Sequence, residues 1–126
     1  MLEKKVTIRC ENITITAFLN ESQTARSLWN ALPIEGITQR WGDEIYFSIP
    51  VDDVERNAVD VVEIGNLAYW PPGNALCIFF GPTPASLADE CRAASPVNII
   101  GKIEGDISSL RNIASGLPIG VLQEQD

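Results

Sequence analysis

The 126-residue chain contains no histidine. That absence removes Ser-His and Cys-His nucleophile systems, histidine-bearing metal sites, and the commonest general base near neutral pH. Any catalysis is left to Arg, Lys, Asp, Glu or Tyr. Cysteine is scarce as well: Cys10, Cys77 and Cys91 are odd in number and widely spaced, with no CxxC pair, so neither a zinc set nor another metal or cofactor is expected. Cys10 and Cys77 read as small core residues. Basic residues are outnumbered nine to seventeen, and the resulting net charge of -8 disfavours phosphate backbones and anionic lipid heads. Nucleic acid and membrane are therefore not expected partners. No apolar run approaches the roughly 20 residues a membrane helix requires. After Met1-Leu2-Glu3-Lys4-Lys5, the polar Thr7 and Arg9 interrupt any apolar leader, so the expectation is a soluble, cytoplasmic protein.

What is present is ample apolar content, 45% of the chain, at the usual length of one domain. Residues 1–126 are read as a single domain. Val6, Ile8 and Cys10 alternate with Thr7 and Arg9; Glu11-Asn12 offers a turn; Ile13, Ile15, Ala17 and Leu19 alternate again. This pattern predicts a β-hairpin. From Ser22 the period changes to three and four, with Ala25, Leu28 and Leu32 on one face, Ser22 or Thr24 as cap and Pro33 as stop. One amphipathic helix is predicted, with Trp29 packing on it.

Thr38–Trp41 and Glu44–Ile49 flank Gly42-Asp43, a second hairpin in which Ile45, Phe47 and Ile49 point inward and Glu44, Tyr46 and Ser48 outward. Asp52–Asn57 reads as a loop or a single helical turn, and Ala58–Ile64 as extended. Gly65–Trp70 and Ala75–Phe80 flank the turn Pro71-Pro72-Gly73-Asn74. The second of these strands is apolar at every position and must be covered on both faces. Leu87–Cys91 is expected to form one helical turn, Val97–Ile103 a strand bent at Gly101, and Asp106 to cap a short helix through Ile113. Short strands joined mostly by hairpins are best accommodated by closing the sheet on itself. The expected fold is mainly β, a closed barrel of about eight strands with two short helices.

Leu28–Pro33, Trp41-Gly42-Asp43-Glu44-Ile45-Tyr46-Phe47, Gly65–Pro84 and Asn98-Ile99-Ile100-Gly101-Lys102-Ile103-Glu104-Gly105-Asp106 together resemble the prokaryotic stand-alone cyclophilin-like proteins, and the resemblance runs through most of the chain. It implies a cyclophilin-like β-barrel. The last two blocks also look like a reduced version of true cyclophilins, which suggests peptidyl-prolyl isomerisation by an arginine that hydrogen-bonds the prolyl amide nitrogen. The Phe-His-Arg triplet of cyclophilins is absent, and the nearest candidate for a catalytic arginine is Arg40.

Three functional readings are open. In the favoured one, Arg40, Trp41, Glu44, Tyr46, Tyr69 and Trp70 line a groove on the outer barrel face that holds a small molecule or a short peptide, with no established catalysis. The second is a weak prolyl isomerase using Arg40. The third is a non-catalytic interaction subunit, a homo-oligomer or a pairing with another protein through an exposed strand. Asp43 and Glu44 do not read as an acid/base dyad, because adjacent strand residues face opposite ways. Gly81-Pro82-Thr83-Pro84 reads as a rigid turn, not a phosphate loop.

Overall fold

The computed structural model describes residues 4–124, so Met1–Glu3, the start of the segment read for a leader, lie outside the described residues. Alternation dictates the opening hairpin: β1 (Lys4–Cys10) pairs antiparallel with β2 (Ile13–Leu19), with Cys10 opposite Ile13 across the Glu11-Asn12 turn. Val6, Ile8, Cys10, Ile15, Ala17 and Leu19 all turn into the core. The Ser22 side chain accepts a hydrogen bond from the Ala25 amide at 3.2 Å and caps α1 (Gln23–Ala31). The helix buries Thr24, Ala25 and Leu28, while Trp29 packs partly buried at the edge of the core.

Eight further strands complete the sheet: β3 (Ile34–Ile37), β4 (Gln39–Arg40), β5 (Glu44–Ser48), β6 (Val59–Val62), β7 (Asn66–Trp70), β8 (Ala75–Phe79), β9 (Cys91–Glu104) and β10 (Pro118–Gln123). Short 3₁₀ turns occupy Pro71–Gly73 and Ser108–Asn112. The Leu87–Cys91 helical turn is not formed: the Glu90 amide reaches back to the Leu87 carbonyl at 3.4 Å in an isolated turn, and Cys91 already opens β9. Asp106 does cap, accepting from the Ser108 amide and hydroxyl at 2.9 Å each, but the segment beyond it is the 3₁₀ turn, and the described residues form one α-helix, not two.

The expectation of a closed barrel of about eight strands is corrected in the same way. Among the described residues ten strands are present, and the main ladder runs β3-β10-β1-β2-β9-β7-β8-β5-β4 with β6 attached to β9, without closing. The ladder's two ends, β3 and β4, are consecutive in the chain and separated by the single residue Thr38. Strands joined through one residue cannot turn back to lie side by side, so the seam is bridged covalently and not by a ladder.

Thr38, fully buried, anchors that seam. Its amide donates to the Leu117 carbonyl at 2.9 Å and its carbonyl accepts from Gly116 at 2.8 Å. Its hydroxyl donates to the Ala114 carbonyl at 2.8 Å and accepts from the Leu117 amide at 2.9 Å. Every hydrogen-bonding group of this residue is thus spent on the segment that leads into β10.

The expectation that Ala75–Phe80 is covered on both faces is met, since every residue of β8 is buried. Leu76, Ile78 and Phe80 enter the main core, together with Ile45 and Phe47 from β5 and Leu67 and Tyr69 from β7. Cys77 and Phe79 point the other way, into a smaller apolar cluster with Val62, Ala68, Cys91, Ala93 and Val97. The cover on that outer face is the first half of β9, held by β6, while the second half of β9 lies in the main sheet between β2 and β7.

Thr38→Val keeps the volume but leaves the Leu117 amide and Ala114 carbonyl without their partner. It is expected to cost about 2 kcal/mol, the usual penalty for orphaning buried polar groups. Chemical denaturation monitored by tryptophan fluorescence checks this; a loss below about 0.5 kcal/mol would show that the seam does not depend on the hydroxyl.

Candidate functional site

Where the first half of β9 overhangs β5, the two layers do not meet completely. The gap is a cavity of about 250 Å³ lined by Trp41, Glu44, Tyr46, Trp70, Ala93, Ala94 and Val97. Larger recesses, of about 480 Å³ beside β3 and β10 and about 470 Å³ by the β1–β2 turn, bring only exposed charged side chains. The smaller cavity is the one with a buried charged group on its wall.

Local chemistry places each lining residue. Gly42, at φ +60°, makes the tight turn before β5, and the Trp41 and Glu44 backbones close it with hydrogen bonds of 2.9 and 3.2 Å. From there alternation sends Ile45 and Phe47 to the core and Glu44 and Tyr46 to the outer face. Trp70 ends β7, and its indole N–H donates to the Ser95 hydroxyl on the overhang at 2.7 Å. A side chain on Gly73 would lie 2.7 Å from the Trp70 ring, so the bare turn is what seats the indole. Tyr46 meets Trp70 edge to face at 6.4 Å.

Glu44 is 5% exposed. Among the described residues no lysine or arginine nitrogen comes within 4 Å of its carboxylate. Burial pushes its carboxyl up to about 7, only partly opposed by a hydrogen bond from the Cys77 thiol, diagonally across on the adjacent strand β8. The same burial, with the adjacent carboxylate, raises the Cys77 thiol well above its ordinary value and makes it a poor nucleophile.

Two of the six residues read as site candidates lie elsewhere. Tyr69 is fully buried on the core side of β7, where its hydroxyl donates to the Val51 carbonyl at 2.7 Å and accepts from the Asp53 amide at 3.1 Å. Its neighbour Trp70 faces out because alternation separates the pair. Arg40 donates to the Gly42, Arg111 and Ile113 carbonyls at 2.6, 3.2 and 2.8 Å and pairs with Asp43 at 3.2 Å. Its guanidinium also stacks 4.8 Å over Phe80. It is a clamp between the β4–β5 turn and the segment before β10, with its donors directed to backbone and not to the cavity.

Sequence reasoning does not single out Ala93, Ala94 and Val97 as lining, nor the polar network that carries the 51–57 loop. There Asp53 accepts from Thr24 at 2.7 Å and from Arg56 at 2.9 Å, and Asn98 donates to Thr24 at 3.2 Å and to the Val54 carbonyl at 2.9 Å. Burial alone would raise the Asp53 carboxyl, but the Thr24 hydroxyl, Val54 amide and Arg56 guanidinium together hold it below its ordinary value. This network fixes a loop; it lines no cavity. Among the described residues no group of three or more Cys, Asp or Glu is placed to hold a metal ion, and no helix is long and apolar enough to cross a membrane.

A cyclophilin-like family model matches residues 4–122. The hypothetical protein AF2241 from Archaeoglobus fulgidus, known from a solution structure, is 42% identical over 97% of this chain and 95% of its own, with a TM-score of 0.82. McbB, solved in complex with tryptophan, superposes with a TM-score of 0.75 over 96% of this chain at 18% identity, which speaks to the fold alone. This chain spans 45% of McbB's length. Comparison with curated proteins gives no match. With nearly its whole length matched by the family model and by AF2241, the chain belongs to the cyclophilin-like family.

Proposed function

We propose that this cyclophilin-like domain binds a small molecule, or one side chain of a short peptide, in the outer cavity walled by Trp41, Tyr46 and Trp70. The observation that carries the reading is Glu44: a carboxyl withdrawn from water at the wall of a concave aromatic site, with no cationic partner of its own. Its cavity of about 250 Å³ falls below the ~300–1,000 Å³ of pockets that enclose drug-sized molecules, so the ligand or its inserted portion is compact. No observation favours prolyl isomerisation, because the one arginine proposed for it is spent on the β4–β5 clamp.

Burying Glu44 costs stability, and the cost depends on pH. Its folded value, about 7, lies above the ordinary 4.5, so between these two the native state holds a proton that the unfolded chain has lost. Stability from this group is therefore greatest at acid pH and declines as pH rises towards 7. The shift corresponds to about 3 kcal/mol at the usual 1.36 kcal/mol per unit. Glu44→Gln abolishes that decline. The difference in unfolding free energy between variant and wild type is expected to grow by about 3 kcal/mol in favour of the variant from pH 4 to pH 8. Parallel urea denaturation at the two pH values measures it, and a constant difference would mean that Glu44 ionises freely.

Binding itself is tested by NMR titration with metabolite and peptide libraries. A ligand is expected to shift the Trp41 and Trp70 indole N–H signals and the Tyr46 ring. Ala94→Trp places a bulky ring at the cavity mouth, from an exposed position that carries little folding cost, and is expected to weaken binding by about tenfold or more, near 1.4 kcal/mol. Libraries that leave all three aromatics unperturbed would remove the cavity as a ligand site.

A further inference from the structure

We infer that the ligand of this cavity is a compact organic cation, an ammonium group whose alkyl or aryl substituents pack on Trp41, Tyr46 and Trp70 while its charge faces the Glu44 carboxylate. The inference rests on the ligand-binding reading above and names the chemistry it selects. Three independent features converge on it.

The first is the charge left unmatched. A buried carboxylate requires an opposite charge or several strong donors, and Glu44 has only the weak Cys77 thiol. The arginines that could have answered it are engaged elsewhere, Arg40 with Asp43 and Arg92 with Glu90 at 2.7 Å.

The second feature is the walls. Two indoles and a phenol line the same cavity as the carboxyl, and aromatic faces attract a cation placed within roughly 6 Å of the ring centroid, most strongly when the cation is desolvated. The ring orientations are held in place, since Trp70 is fixed to Ser95 and Tyr46 meets it edge to face. The remaining wall, Ala93, Ala94 and Val97, is apolar and offers a cation's substituents contact without donors to compete for the carboxylate. An anionic ligand meets the wrong charge here, and a neutral apolar one leaves Glu44 without a partner.

The third is the field of the whole molecule. Seventeen acidic against nine basic residues produce a net negative charge that raises the local concentration of small cations around any cleft.

Ammonium groups reach such a site on free small molecules or on peptide side chains, and the test separates the two. Choline and benzyltrimethylammonium are titrated by NMR into wild type and Glu44→Gln beside 3,3-dimethyl-1-butanol, which has choline's shape without its charge. Both cations are expected to shift the Trp41, Tyr46 and Trp70 signals. The neutral alcohol, and the cations on Glu44→Gln, are expected to bind at least about tenfold more weakly. The groups facing Glu44 that titrate are the Cys77 thiol from β8 and the Tyr46 phenol from β5; β7 and β9 contribute only Trp70, Ala93, Ala94 and Val97 to the wall, and neighbouring Asp43 is paired to Arg40. Wild-type affinity for benzyltrimethylammonium, whose own charge is fixed, is therefore expected to rise about tenfold from pH 6 to pH 8 and the variant's to stay level, as a carboxyl near 7 gives up its proton.

A peptide whose only charged side chain is one trimethyllysine, compared with choline, identifies the carrier, and tighter binding of either one upholds the cation. Equal binding of choline and its neutral analogue, or of cations to wild type and Glu44→Gln, overturns the inference and leaves the cavity a ligand site of another kind. Cations without effect, where other library members shift the three aromatics, overturn it in the same way. If no compound of either set shifts them, the ligand-binding reading falls as well.

Discussion

The constraint on which the structure turns is that β8 cannot face water on either side. Leu76 and Ile78 satisfy the inner face by joining the main core, a solution any sheet offers. The outer face is the harder one, because Cys77 and Phe79 need a second cover and no helix lies there. The chain supplies it by extending β9 to fourteen residues, half in the main sheet and half folded over it with β6. A lid made from one end of a strand cannot fit everywhere along the sheet beneath it. Where it stops fitting, over Glu44 and Tyr46, the cavity opens. Scaffold and candidate site are thus two consequences of one apolar strand.

That link explains which parts of the fold are legible in the sequence. The hairpin Val6–Leu19 and the strand Glu44–Ser48, with clean alternation, carry their structure locally, and the all-apolar Ala75–Phe79 declares two-sided burial by composition alone. β3 and β10 do not read as strands, because Gly36, Pro118 and Gly120 dilute the alternation and β3 pairs only with β10, a strand some eighty residues further on. The length of β9 is hidden by Ser95-Pro96, which looks like a break and instead lies in the irregular stretch of the β6–β9 pairing, just before β9 passes to β7 at Asn98.

The same distinction runs through the site residues. Glu44, Tyr46 and Trp70 share an outer face by strand parity, and Trp41, just past β4, joins them across the turn, so their convergence is readable in two separate segments. Tyr69 is misplaced only because it adjoins Trp70, and parity read one residue further puts it in the core. Arg40 has no such local signal. Its position depends on backbone carbonyls at Arg111 and Ile113, more than seventy residues away, and nothing in the neighbourhood of Arg40 announces them. Ala93 and Ala94 are silent for a related reason: alanine matters there by leaving space, and empty space has no sequence motif.

The seam at Thr38 and the carboxyl at Glu44 show opposite treatments of buried polarity. Every polar atom of Thr38 finds a partner within the chain, so the ladder's open ends are joined without an unmet hydrogen bond. Glu44, one hairpin turn further on, is left with a thiol and, among the described residues, no lysine or arginine nitrogen within 4 Å. No buried side-chain nitrogen or oxygen among the described residues is left unpartnered, so what sets Glu44 apart is its want of an opposite charge. Selection for stability alone would replace it with glutamine or an apolar residue. On the proposed ligand-binding reading, a cation is the group that would relieve a buried carboxylate on the wall of an aromatic cavity.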